Sequence, residues 1–180
     1  MSNSNSDFLP QDYTVPSGNT NYMKLEKGEN KFRIMSKPIL GWLDWDNKTP
    51  VRFKMDNKPS APIDPQKRVR HFWAMVVFNY KAEQIQILEI TQASIQDAIK
   101  GLTNDSDWNA PYGYDLKIIK TGEGMDTEYQ VNPVPHKPIT AEMETAFHDK
   151  PVQLELLYTN EDPFTPKGKP AELQASQFAF

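Results

Sequence analysis

The sequence has no cysteine in its 180 residues, which excludes disulfides, thiolate nucleophiles and thiolate-bound zinc together and suits a reducing compartment. Histidine is scarce as well. His71, His136 and His148 stand at no helical or short-loop spacing, so no metal site is expected. No apolar run approaches the roughly 20 residues needed to cross a bilayer as a helix. The opening MSNSNSDFLPQ has neither the basic flank nor the apolar stretch of a signal peptide, so a soluble, non-secreted protein is expected. TGEGMDTE, residues 121 to 128, has loop glycines without the spacing of a phosphate cradle or dinucleotide fingerprint. With no nucleophile, metal or cofactor motif, no catalytic activity is expected.

Charge is present but unevenly spread. The chain carries a net charge of -4, which by itself speaks against a phosphate-rich partner. Between residues 31 and 81, however, eleven basic residues face four acidic ones, a local charge of +7 that leaves -11 on the remainder. A basic module inside an acidic shell is a statement about partners rather than about fold.

Residues 1–21 are rich in Ser, Asn, Thr, Gly and Pro, and are expected to form a flexible arm. From residue 22 the pattern becomes that of strands. Phe32 and Ile34 alternate with Lys31, Arg33 and Met35. ILGWLDWD and VRFKM flank turn residues and predict a hairpin at 40–55, and the proline-containing loop DNKPSAPIDPQ follows. RVRHFWAMVVFNY and EQIQILEI predict a long antiparallel pair, the first covered on both faces because both parities are apolar. In TQASIQDAIKGL the residues Ile95, Ala98, Ile99 and Leu102 fall on one helical face, with Ser94 and Asp97 as a capping box and Gly101 near the end. GYDLKIIKTG and TEYQVNPV predict two more strands, residues 139–149 a short C-terminal helix, and 159–180 a polar tail.

The order is read as three strands, one helix, two strands. This predicts an all-β chain with minor helix, a five-stranded OB-fold barrel spanning 22–158, whose second and third strands and long loops are the usual binding surface. The predicted core is Phe32, Ile34, Phe72, Ile85, Ile87, Leu116 and Ile118.

The basic module also holds three of the four tryptophans. Single-stranded nucleic acid presents a π-face on every base and a charge on every phosphate, so a sequence-tolerant reader needs flat rings beside cations. The candidates for stacking are Trp42, Trp45, Phe53 and Trp73. Those for phosphate contact are Arg33, Lys37, Arg52, Lys54, Lys67, Arg68 and Arg70. Trp42 and Trp45 differ in parity and belong on opposite faces of a regular strand, unless Gly41 marks a bulge. Asp44 and Asp46 share a parity and are read as a solubilising hairpin edge. Two other readings fit the same residues: an RNA-binding OB module, and a protein-interaction domain with an aromatic hot spot.

Four blocks in order, YMKLEKGENKFRIMSKPILGW, RHFWAMVVFNY, QIQILEITQASIQDAI and GYDLKIIKTGEGMDTEYQVNPVP, resemble those of phage-encoded single-stranded-DNA-binding proteins with an OB-fold, over roughly residues 22–135. The resemblance implies a non-enzymatic protein in the cytoplasm of a bacterial host. Such a protein coats ssDNA in phage replication, recombination and repair, with phage or host replication proteins as further partners. Two features depart from the family pattern. The end GKPAELQASQFAF keeps Phe178 and Phe180 but has only Glu172 as an acid after Asp162, and without cysteine there is no zinc ribbon.

Overall fold

The computed structural model describes residues 21–175. The expected arm at 1–21, apart from Asn21, and the terminal Phe178 and Phe180 lie outside them. Seven strands, β1 (Gly28–Ile34), β2 (Ile39–Asp46), β3 (Thr49–Lys54), β4 (Arg70–Asn79), β5 (Gln84–Ile90), β6 (Leu116–Thr121) and β7 (Glu128–Pro133), join two helices, α1 (Ala93–Asn104) and α2 (Ala141–Asp149). All strands lie in one antiparallel sheet of order β3-β2-β4-β1-β6-β7, with β5 on the other edge of β4.

The all-β expectation holds, and in place of the expected five-stranded barrel the strands form one open seven-stranded sheet. Two physical reasons account for the difference. The hairpin at 40–55 is part of the sheet: β2 pairs with residues 70–74 of β4, and β1 pairs with residues 77–79 along the same edge. Between them the chain breaks step at Met35–Pro38, where proline offers no N–H. The ladder is bridged there by Met35 N–H donating to Val76 O at 2.8 Å and by Val76 N–H donating to the buried Ser36 Oγ at 3.0 Å. Closure is also prevented at β5. Its free edge is taken by Asn21–Met23, through Ile87 N–H to Asn21 O and Met23 N–H to Ile87 O, both 2.9 Å. Among the described residues β7 pairs with β6 alone.

The alternation of β4 and β5 buries both faces. Met75, Val77, Leu88 and Ile90 join Phe32, Ile34, Leu116 and Ile118 under Ile95 and Ile99 of α1. On the opposite face Phe72, Ala74, Val76, Ile85 and Ile87 lie under Met143 and Phe147 of α2. Val152, Leu154, Leu157 and Ala175 complete that second layer. Every residue of the predicted core is therefore buried. The segment expected to be a tail from 159 belongs, through Ala175, to the body. Gln153 N–H donates to Pro163 O, Ala171 N–H to Val152 O and Gln174 N–H to Met35 O.

Helix α1 starts after Gln92, whose carbonyl accepts from Ile95 and Gln96 N–H. Ser94 and Asp97 make no capping box, because the chain enters the helix before Ser94, and the helix continues past Gly101 to Asn104. The expected α2 is present, with Thr140 Oγ1 accepting from Met143 N–H at its start.

Arg33 is a correction to the expected phosphate contacts. Its side chain is fully buried and donates to Asp115 Oδ1 at 2.9 Å, to Tyr112 O at 3.2 Å and to Lys137 O. Tyr80 Oη adds a hydrogen bond to the same carboxylate. Burial, reinforced by that carboxylate, pushes the Tyr80 phenol upward in pKa and keeps it a donor. A buried charge pair stabilises little relative to apolar residues, but removing one partner strands the other. Asp115→Ala should lower the unfolding free energy by about 3–5 kcal/mol in urea denaturation; a loss under 1 kcal/mol contradicts this role.

Candidate nucleic-acid interface

Because both faces of the β4–β5 region are covered, the sheet surface expected to carry a nucleic-acid strand is closed at its centre. At the β2–β3 end side chains of both faces reach water. That hairpin is regular from Gly41 opposite Lys54 to Asp46 opposite Thr49, and turns through Asn47 and Lys48. Asn47 takes a left-handed φ of 60°, which asparagine tolerates. No bulge intervenes at Gly41. It is glycine for close packing instead: a Cβ there would lie 2.0 Å from Phe53 O. Trp42 and Trp45 consequently point to opposite faces, as parity requires.

On one face stands an aromatic row. Phe53 and His71 are the cross-strand partners of Trp42, and Trp73 follows two residues along β4. The Trp42 and His71 rings are 5.2 Å apart. Trp73 Nε1–H donates to His71 Nε2 at 3.1 Å, so Nδ1 carries the proton and donates to Gly41 O at 2.8 Å. Trp42 Nε1–H donates to Met55 O, and Lys58 Nζ sits 4.3 Å from the Trp42 ring centre. Lys58, read from sequence as an ordinary solvated charge, thus forms a cation–π contact.

The other face holds an open groove of about 700 Å³, lined by Trp45, Asn47, Lys48, Gln66, Lys67, Arg68 and Arg70. The four cations are exposed, and Lys67 Nζ lies 5.9 Å from the Trp45 ring centre while donating to Asn47 O. One wall comes from the loop between β3 and β4, and a buried carboxylate holds that loop in place. Asp44 Oδ1 accepts from Trp45 N–H at 2.8 Å and Oδ2 from Ile63 N–H at 2.9 Å. Asp44 is fully buried, not a hairpin-edge charge. Asp64 then turns the chain back through its carbonyl to Lys67 N–H and its carboxylate to Gln66 N–H.

Of the sequence candidates, Trp45, Lys67, Arg68 and Arg70 meet in this groove, and Trp42, Phe53 and Trp73 form the opposite row. Four others are elsewhere. Arg33 is in the core. Arg52 is bound to Glu89 at 2.6 Å with its side chain 11% exposed. Lys54 lies 5.6 Å from the Tyr158 ring centre. Lys37 borders a separate groove with Lys169 and Glu172. The candidate rings and cations are therefore divided between two surfaces back to back. Lys48, Lys58, His71 and Asp44 belong to these two surfaces or hold them in place, and sequence reasoning did not select them. Proximity in sequence to Trp45 and Trp42 was the available signal for the first and last, whereas Lys58 and His71 arrive through pairing and loop closure. Among the described residues no cluster of His, Cys, Asp or Glu suits a metal ion, and no helix is long and apolar enough to cross a membrane.

If Asp44 holds the groove wall, Asp44→Ala should cost about 1.5–3 kcal/mol of stability, the range for hydrogen bonds to a charged acceptor. Limited proteolysis should then cut first within residues 55–69; an unchanged cleavage pattern contradicts the anchoring role. No family model, no curated protein and no solved structure matches the chain.

Proposed function

We propose that the chain is a sequence-tolerant single-stranded-DNA-binding protein without catalytic activity, which coats and protects ssDNA during phage replication, recombination and repair. One observation carries this reading: Lys48, Lys67, Arg68 and Arg70 converge beside the Trp45 ring, and none of them forms an ion pair among the described residues. In an acidic chain, four unneutralised cations at one groove favour a polyanion, and the adjacent indole favours one that carries flat rings. The aromatic row across the hairpin offers further ring faces.

An OB-like architecture is part of the proposal. With β2 and β3 counted as an insertion after β1, the order β1, β4, β5, α1, β6, β7 is that of the OB-fold, and β1 pairs with both β4 and β6. The block resemblance described above supports the same reading. α2 and residues 150–175 cover one face of β4 and β5, which favours a path for the strand over the hairpin end and along the 55–69 loop.

Titration with oligo(dT), followed by tryptophan emission, tests the proposal. Quenching is expected at low salt, and log K should fall with log salt at a slope of about -3, from about -0.7 per neutralised phosphate at four contacts. Arg68→Glu combined with Arg70→Glu should flatten that slope by about 1.4. Trp45→Ala should weaken binding by about 1–3 kcal/mol. Absence of quenching at low salt removes the proposal. Tighter binding of oligo(U) at equal salt identifies an RNA module instead, and salt-insensitive binding identifies a protein-interaction surface.

A further inference from the structure

Beside the aromatic row lies an apolar pocket that the groove does not use. It has a volume of about 240 Å³ and is walled by Ile34, Pro38, Leu40, Trp73, Met75 and Ile99, with Thr103 and Tyr112 at its polar side. Met75 and Ile99 are buried, at 1% and 4% exposure, whereas Leu40 is 38% exposed and Thr103 faces water. The pocket therefore has an apolar floor and a partly polar mouth. One wall, Trp73, is fixed by its hydrogen bond to His71, which in turn contacts Trp42. The pocket is thus continuous with the row of rings on this face of the hairpin.

We infer that this pocket receives one thymine base of a bound single strand, with its C5-methyl toward Met75 and Ile99 and its polar edge at the mouth beside the Thr103 hydroxyl. The inference rests on the proposed ssDNA-binding function and adds the chemical class of base. The volume falls below the roughly 300 Å³ at which pockets for drug-sized ligands begin, which suits a single ring. The walls are hydrocarbon and indole, so base edges rich in hydrogen-bonding groups lose solvation there without recompense. Thymine is the DNA base with an apolar substituent to bury. Uracil differs from it by that methyl alone, so the pocket is also a device for preferring DNA over RNA.

The test compares oligo(dT) with oligo(dU) of equal length and equal salt, which share sugar and phosphate and differ only in the methyl. The full chain should bind oligo(dT) about fourfold more tightly, the factor equivalent to about 0.8 kcal/mol for one buried methyl or methylene group. Thr103→Leu, which fills the mouth and removes a hydroxyl that donates to Ile99 O, should weaken binding of both oligomers, oligo(dT) the more, and so reduce the ratio to near one. Ala110→Leu, from another wall of the pocket, should do the same, so misfolding of either variant leaves a second measurement. Equal binding of the two oligomers by the full chain overturns the pocket assignment and leaves the ssDNA reading standing. A preference that persists undiminished in both filled variants also overturns it, because the methyl is then read elsewhere. Binding of neither oligomer removes the ssDNA reading itself.

Discussion

The structure depends on how one ten-residue strand is shared. β4 gives one edge to β5 and the other to β2 and β1 in succession, so three ladders meet on a single backbone. The handover from β2 to β1 is the weak point, since Val76 N–H there is met by a side chain and not by a backbone carbonyl. The Ser36 hydroxyl supplies the missing acceptor. With that substitution in place β2 remains in register with the start of β4, and the β2–β3 hairpin projects as a continuation of the sheet rather than as a loose insertion.

Burial then sorts the charges. Where side chains are taken out of water, cations are paired: Arg33 with Asp115, and the largely covered Arg52 with Glu89. Where the sheet emerges at the hairpin, Lys48, Lys67, Arg68 and Arg70 keep their charge exposed, and the one nearby buried carboxylate, Asp44, spends both oxygens on backbone N–H groups. Fixed in this way, Asp44 holds the loop without forming an ion pair with the groove cations. The +7 segment thus contributes to two different things, a neutralised interior and a cationic rim.

Much of this was legible in the sequence because alternation reports which face a residue occupies. Phe32, Ile34, Phe72, Ile85, Ile87, Leu116 and Ile118 were all identified from period and burial preference, and the opposition of Trp42 to Trp45 followed from parity. What alternation does not report is what covers a face. Arg33 lies on the same parity as Lys31 and looks equally exposed until residues 112–115 and 137 are brought over it. The expected five-stranded barrel differs from the open seven-stranded sheet for a similar reason. Whether β5 meets β7 or the chain's own Asn21–Met23 is decided by long-range pairing, of which local pattern carries no trace. His71 joined the aromatic row only once β4 was laid beside β2.

The lateral margins of the sheet carry a consequence of their own. β3 and β7 end the strand order, and each is six residues long. β3 includes Pro50, Arg52 and Lys54, while β7 opens with Glu128 and closes with Pro133. Short margins that combine proline with charge are poor templates for a neighbouring strand. Molecules crowded side by side are thereby discouraged from fusing their sheets into fibrils, so dense packing need not become aggregation.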